Sequence, residues 1–301
     1  MSEDNDMNEQ TRLSLGWLPD LPDFRDYTAE SAAVVSLLDT AGMKMTAGKG
    51  SRAKASTLSA KVDLRSYCSP IENQLSLGSC TAQAGVGLLE YFARRTTGKH
   101  EDLSRLFIYK VTREMMGWTG DTGAFLRSTM GAIAAFGAPP EKYWPYKIAD
   151  FELEPSAFAY AFAQNYKAIT YYRLDPPGTT AAALLAAVKT HLGQGLPSMF
   201  GFSCYSSLYS VGATGKIPFP KPNEKQVGGH AVVAIGYDDT IKVPHPDGGS
   251  TTGALLIRNS WGTTWGEAGY GWLPYDYISR GLAQDFWVLI KADWLALHGF
   301  R

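Results

Sequence analysis

Cysteine is scarce: Cys68, Cys80 and Cys204 are the only three in 301 residues, too few for a disulfide framework. Stability must come from packing, and a reducing compartment is permitted, with a single Cys68–Cys204 bridge left open. Long apolar runs are missing as well. No window approaches about 18 uninterrupted apolar residues, so no membrane-spanning helix is expected. The first ten residues, MSEDNDMNEQ, are acidic and polar and lack a basic flank before an apolar stretch. No standard secretory signal is therefore read, which points to a cytoplasmic protein or one exported by a non-classical route. Charge of one sign is not in surplus either. With 28 basic and 29 acidic residues the net charge is −1, which gives no general attraction to nucleic acid or an anionic membrane. His100, His191, His245 and His298 show no ligand spacing, and Asp238, Asp239 and Asp247 read as a hairpin loop. No metal and no cofactor are expected.

What the chain does have is apolar bulk. At 45% hydrophobic and 19% charged residues it can bury a large core, and 301 residues suit two domains or one two-lobed unit. Residues 1–13 lack periodicity, whereas LGWLPDLPDFRDY (Leu15 to Tyr27) interleaves Trp17, Leu18, Leu21, Phe24 and Tyr27 with Pro-Asp turns and is too apolar for a free tail. A short helix is expected within 28–41, then a basic, small-residue linker from Lys44 to Lys61. Helices are predicted over Cys80 to Arg95, Ser104 to Met115, Phe125 to Phe136, Phe151 to Tyr166 and Thr179 to Gly193. The first of these is apolar nearly all round and so should be buried, with Gly85 and Gly87 placed for close approach of another backbone. Short β-rich runs dominate after residue 166: 168–174, 198–203, 231–237, 254–258, 270–273 and 286–290. The division that follows is an N-terminal segment and linker (1–60), a helical lobe (61–166) and a β-rich lobe (167–301).

One stretch carries the chemistry. In QLSLGSCTAQAGVGLL (Gln74 to Leu89), Cys80 stands where a Gly-containing loop gives way to a helix. The helix dipole and the unpaired first-turn N–H groups there favour thiolate, and with an imidazolium nearby such thiols titrate at roughly 3.5–7.5. A thiolate nucleophile needs a base and a group that orients the base. His230, in VGGHAVVAIGYDD, opens an apolar strand. Asn259, at the end of the strand in LLIRNSWGTTWGEAGYGW, has an amide able to accept the imidazole Nδ1–H and set its tautomer, and Trp261 can shield that bond from water. Cys68 and Cys204 have no helix start and no base motif and read as packing thiols or a bridge.

Four motifs, ENQLSLGSCTAQA, DTGAFLRSTMGAIAAFG leading to the WPY at Trp144 to Tyr146, VGGHAVVAIGYDD and NSWGTTWGEAGYG, together resemble the papain family of cysteine peptidases, in its prokaryotic branch, over about residues 61–291. The resemblance implies an α+β papain-like two-lobed fold, a helical lobe plus a β-barrel-like lobe with the active-site cleft between them. It implies Cys80 as nucleophile, His230 as base, Asn259 as orienting amide and Gln74 as oxyanion-hole donor. It also implies that Gly123 pairs its backbone with extended substrate, a helix-start glycine being the alternative, and that Gly228, Gly229, Ala231 and Trp261 line the substrate site. Two departures from the family pattern stand out. Leu77 replaces a cysteine usually found three residues before the nucleophile, removing a disulfide partner, and Thr81 replaces an aromatic just after it.

The expected activity is a monomeric cysteine endopeptidase acting on peptide or protein substrates. A catalytically silent papain-fold binding module is the alternative, as is an exopeptidase or transamidase on the same site, the insert from Ser206 to Gln226 being a candidate cleft-blocking loop. Small residues at Gly228 and Ala231 imply a roomy, apolar pocket for the residue two before the scissile bond. Residues 14–43 are the candidate inhibitory segment, although they match no propeptide motif; packing on the back of a lobe is the other reading.

Overall fold

The computed structural model describes residues 13–40, 43, 58–166 and 170–290. In chain order the elements are β1 (Trp17–Leu18), α1 (Ala32–Thr40), β2 (Lys61–Asp63), α2 (Cys80–Thr97), α3 (Arg105–Met115), β3 (Ala124–Phe125), α4 (Leu126–Phe136), α5 (Ala157–Ala163), β4 (Thr170–Arg173), α6 (Ala181–Gly193), β5 (Ser198–Tyr205), β6 (Gln226–Pro244), β7 (Ser250–Arg258), β8 (Tyr270–Pro274), α7 (Asp276–Ser279) and β9 (Ala283–Ile290). The linker read from Lys44 lies outside the described residues as far as residue 57, and Lys61 opens β2.

The helices follow their local signals. Ser104 caps α3 by accepting the Phe107 N–H, and Thr180, one residue beyond the expected cap, does the same for α6 from Ala183. Gly98, with a left-handed φ of 71°, ends α2 and donates to the Arg94 carbonyl. The helix expected over Phe151 to Tyr166 is shorter than its apolar pattern: Pro155 confines it to Ala157–Ala163, capped by Ser156, before a single 3₁₀ turn. α2 is buried through its first thirteen residues, from Cys80 to Phe92. Its two glycines make room for side chains, not for another backbone. A Cβ on Gly85 would lie 2.7 Å from Ile133 Cδ1 of α4, and one on Gly87 would lie 2.8 Å from the Arg258 guanidinium of β7.

The sheet has seven strands in the order β4-β9-β5-β6-β7-β8, with β2 added beside β6, and each of these pairs is antiparallel. β6 is the spine, nineteen residues long against the seven expected, with register shifts where it pairs with β7. Among the described residues no pairing joins β4 to β8, so the barrel-like lobe is an open sheet. Residues on both sides of position 166 share it, because Lys61–Asp63 pair with Asp238–Gly236. The core is continuous from α2, α3 and α4 into β5, β6, β7 and β9, and Phe200 stacks on Phe286 at 4.4 Å inside it. All three cysteines are buried and free, so the Cys68–Cys204 bridge is not formed.

Candidate active site

Cys80 is the first residue of α2, and its side chain is fully buried. The loop ahead of it is fixed from three sides. Asp121 accepts the Gly78 N–H at 2.9 Å, the Ser79 and Tyr146 hydroxyls meet at 2.6 Å, and the Tyr146 hydroxyl donates to the Gln74 carbonyl at 2.9 Å. The Gln74 backbone N–H in turn donates to the Ser260 carbonyl. Its side-chain amide has one possible orientation, since two carbonyls, those of Leu77 at 2.9 Å and Ser14 at 3.2 Å, face Nε2 and can only accept, while Oε1 accepts the Ser260 hydroxyl at 2.6 Å.

His230 and Asn259 meet across β6 and β7. His230 Nε2 and Asn259 Oδ1 are 2.7 Å apart, and the Ser260 backbone N–H also donates to Asn259 Oδ1 at 2.8 Å. A backbone N–H can only donate, so Oδ1 is an acceptor and the imidazole proton sits on Nε2. The expected Nδ1–H bond is thus replaced by an Nε2–H bond. Nδ1 has no protein partner and keeps its lone pair. Trp261 stacks on the imidazole, ring centroids 4.1 Å apart and planes 20° apart, and covers the bond from solvent. The residue after the histidine, Ala231, faces its backbone N–H to the Cys80 sulfur.

The cleft is filled by the chain's own N-terminal segment. Gln74 Nε2 donates to the Ser14 carbonyl at 3.2 Å, and Trp261 Nε1 donates to the same oxygen at 3.1 Å. The Gly16 N–H donates to the Gly229 carbonyl at 3.1 Å, and the Ala124 N–H donates to the Gly16 carbonyl at 2.9 Å. β1 then runs parallel to β3, with Trp17 opposite Ala124. Gly16 lies between two other glycines. A Cβ on Gly16 would sit 1.9 Å from the Gly78 carbonyl oxygen, and one on Gly123 would sit 2.2 Å from the Gly16 carbonyl oxygen. Gly123 therefore does border a paired backbone, that of residue 16.

Farther along, Arg127 ties the segment down through Asp20, Asp26 and the Leu21 carbonyl. Phe24 and Leu21 point into solvent, while Trp17 is 4% exposed. Of the expected lining residues, Gly229 contacts Trp17 and Gly228 contacts Leu15.

This cover changes the electrostatics. Burial pushes the Cys80 thiol up to about 12, against the opposing pull of the Ala231, Gly16 and Thr81 N–H groups. Burial likewise pushes His230 down to about 4, with the Asn259 bond opposing. The low thiol pKa expected from the helix start is not reached, because sealing the site from water costs the thiolate and the imidazolium more than the dipole returns. In the covered state burial works against both the thiolate and the imidazolium.

Comparison with known proteins gives the family. The profile described as "Papain family cysteine protease" matches residues 58–286. The chain belongs to that family. A peptidase C1-like protein of Acanthamoeba polyphaga mimivirus is 33% identical over 223 residues, 72% of this chain and 68% of the viral protein. Cathepsin K of Gallus gallus is 29% identical over 217 residues, 70% of this chain and 57% of that protein. Among solved structures, xylellain, a cysteine protease from Xylella fastidiosa, is 32% identical with a TM-score of 0.72, covering 92% of this chain and 96% of that one. Procathepsin L 3 of Tenebrio molitor shares the fold at 19% identity and a TM-score of 0.59, covering 91% and 83%.

Three residues that hold this papain-family site escaped the sequence reading. Ser260 carried a signal, since it directly follows Asn259. Asp121 opens the motif containing Gly123, and Tyr146 closes the WPY. None could be assigned without the fold, because each acts on a loop 43 or more positions away in the chain.

Proposed function

We propose that the chain is a cysteine endopeptidase held inactive by its residues 14–18. The single observation carrying this reading is that the Gln74 side-chain N–H and the Trp261 N–H both donate to the Ser14 carbonyl, where a substrate carbonyl would have to lie.

With the segment displaced, His230 Nδ1 takes the proton of Cys80, and the sulfur attacks the scissile carbonyl carbon. Gln74 Nε2–H bonds the oxygen as it gains negative charge; such a donor is typically worth about 10²–10³ in rate. Collapse breaks the C–N bond, and His230 returns its proton from Nδ1 to the leaving amine. A thioester to Cys80 remains. Water, giving a proton to His230 Nδ1, then attacks the thioester, and the acid and the free thiol are released. Asn259 holds the Nε2–H throughout, so that Nδ1 faces the reaction.

Endopeptidase activity is favoured over exopeptidase activity by the course of the 206–226 insert. Its bonds run to β8 and α7: Lys216 bridges to Trp272, and the Tyr277 hydroxyl donates to the Pro218 carbonyl. The test is digestion of unfolded casein by the full-length chain and by its Gly16→Val variant. The variant should generate new internal amino termini much faster than the parent. Release of terminal residues alone would overturn the endopeptidase assignment, and equal rates would overturn autoinhibition.

A further inference from the structure

Gln74 is gripped through its backbone as well as through its amide. The Gln74 N–H donates to the Ser260 carbonyl, and the Gln74 carbonyl accepts the Tyr146 hydroxyl at 2.9 Å and, more weakly, the Leu77 N–H at 3.3 Å. The Tyr146 hydroxyl also meets that of Ser79 at 2.6 Å. A carbonyl can only accept, so the one phenolic proton points at Gln74, and the proton between the two hydroxyls belongs to Ser79. The order of donation is therefore Ser79 to Tyr146 to Gln74. One phenol ties the residue next to Cys80 to the residue whose amide serves the oxyanion in the peptidase reading.

Tyr146 is placed by a frame that does not involve Gln74 itself. Pro145 fixes its own φ, and the residues on either side of it are anchored: the Tyr146 N–H donates to a Glu141 carboxylate oxygen, and the Trp144 carbonyl accepts the Ser104 hydroxyl at 2.5 Å. The buried Arg105 stands behind this turn. Its Nη1 lies 3.9 Å from the other Glu141 oxygen, and its Nη2 reaches Glu72 at 3.0 Å and Glu90 at 3.1 Å. Glu72 opens the loop that carries Gln74, and Glu90 belongs to α2. The turn, the loop and the helix thus share one guanidinium, and the phenol is a fixed reference point for the loop.

The Gln74 amide has two hydrogens on Nε2, and they have different tasks. One is committed to the Leu77 carbonyl at 2.9 Å, and the other points at the Ser14 carbonyl at 3.2 Å, the place a substrate oxygen takes once the segment has left. Ser260 holds the amide at Oε1, but nothing in the amide fixes the backbone from which it hangs. We propose that Tyr146 is a positioning residue for the reaction, its hydroxyl aiming the Gln74 amide at the oxyanion by holding the Gln74 carbonyl. This rests on the peptidase reading above. A donor stabilises developing charge to the extent that it is aimed beforehand, and a misplacement of about 1 Å costs up to roughly 100-fold in rate. Without the hydroxyl, the Gln74 carbonyl keeps only the weaker Leu77 bond, while the ring and its frame stay in place.

The experiment uses the full chain carrying Gly16→Val, which opens the cleft, and adds Tyr146→Phe, Gln74→Ala or both. Peptide hydrolysis gives kcat and KM. Alkylation of Cys80 by iodoacetamide is measured beside it, because displacement of iodide at a tetrahedral carbon uses the thiolate and forms no oxyanion. Tyr146→Phe should lower kcat about tenfold, with KM and the alkylation rate each within about twofold of the opened chain. In the Gln74→Ala background the same substitution should cost less than about twofold, because its effect passes through Gln74. An unchanged kcat, the same tenfold loss with and without Gln74, or an equal fall in alkylation would overturn the proposal, the last because it would mean that the start of α2 has moved. If the Gly16→Val chain is alkylated at Cys80 but cleaves no peptide even with Tyr146 and Gln74 in place, the peptidase reading itself has failed and the proposal falls with it.

Discussion

Replacing Gly16 by valine would place a Cβ 1.9 Å from the Gly78 carbonyl oxygen and 2.4 Å from its carbon, contacts that real structures do not contain. The neighbour cannot retreat, because Asp121 holds the Gly78 N–H and the Tyr109 hydroxyl accepts the Gly123 N–H. The segment must leave. How much this matters depends on how firmly the parent is closed. Burying one indole, roughly 150–250 Å², stabilises the closed form by about 5 kcal/mol. Five hydrogen bonds, from Gln74 and Trp261 to Ser14, at both backbone groups of Gly16 and from Trp17 to Asp285, add about 1 kcal/mol each. Ordering the five residues Ser14–Leu18 costs about 7 kcal/mol.

The balance is about 3 kcal/mol, so that about one parent molecule in 150 is open at any moment. Tethering removes the dependence on concentration, since a linked segment acts at an effective concentration on the order of millimolar. The valine variant is open nearly all the time. Alkylation of Cys80 by iodoacetamide, followed by intact mass at pH 7.5, should therefore be about 100-fold faster in Gly16→Val than in the parent. Equal alkylation rates in two chains with the same far-UV circular dichroism would refute the reasoning, because a free thiol under a segment that cannot seat must become reachable.

Further outcomes follow from the same geometry, each measured in the opened chain unless stated. Cys80→Ala should abolish peptide hydrolysis, His230→Ala should come within about tenfold of that loss, and Asn259→Ala should be milder, since Trp261 still holds the imidazole plane; Asn259→Ala proving worse than His230→Ala would reverse the assigned roles. Gln74→Ala should lower kcat by about 10²–10³, and Ser260→Ala, which removes the donor to Gln74 Oε1 but leaves Nε2 on the Leu77 carbonyl, should lower it less; an unchanged kcat in Gln74→Ala would remove that residue from the oxyanion site. His191 is fully buried, its Nδ1 lies 2.7 Å from the Ala187 carbonyl, and burial pushes it down to about 4. The unfolded chain therefore binds a proton there between pH 6.5 and 4 that the folded chain does not, and folding loses up to about 1.4 kcal/mol per pH unit across that window. Chemical denaturation of the parent and of His191→Phe should show the parent losing more stability than the variant as pH falls from 6.5 to 4; parallel losses would mean that His191 is protonated in the fold.

The candidate site was more legible in the sequence than the segment that covers it. Cys80 at a loop-to-helix junction and Asn259 just past β7 could be picked out because each sits at an element boundary that periodicity marks, whereas His230, expected to open its strand, lies inside β6, which starts at Gln226. The imidazole nitrogen facing Asn259 could not be picked out, since it depends on how β6 and β7 are set against each other. The thiol pKa was misjudged for a related reason: a helix start is visible in sequence, whereas the lid that desolvates it comes from residues more than sixty positions earlier. Leu15 to Tyr27 was recognisably too apolar to be free, yet nothing local told that Trp17 would be buried while Phe24 stayed exposed. That outcome is set by Gly201 and Gly229, which leave room for the indole, and by Asp285, which accepts its N–H, residues 184 to 268 positions away. Asp285 itself carried no signal. It stands just before the β-rich run read over 286–290, takes a φ of 66° inside β9 and gains its meaning only from Arg173 and the two tryptophans around it.

The most direct test of the central claim is to catch the acyl group on Cys80. The full-length Gly16→Val chain is mixed with a peptide ester, quenched in acid within milliseconds, digested and sequenced by tandem mass spectrometry. The account predicts one acyl adduct, located on Cys80, that forms before product appears, decays at the rate of turnover and is absent from the chain that also carries Cys80→Ala. Hydrolysis that proceeds in the Cys80→Ala chain, or an adduct found on Cys68 or Cys204 instead, would contradict it.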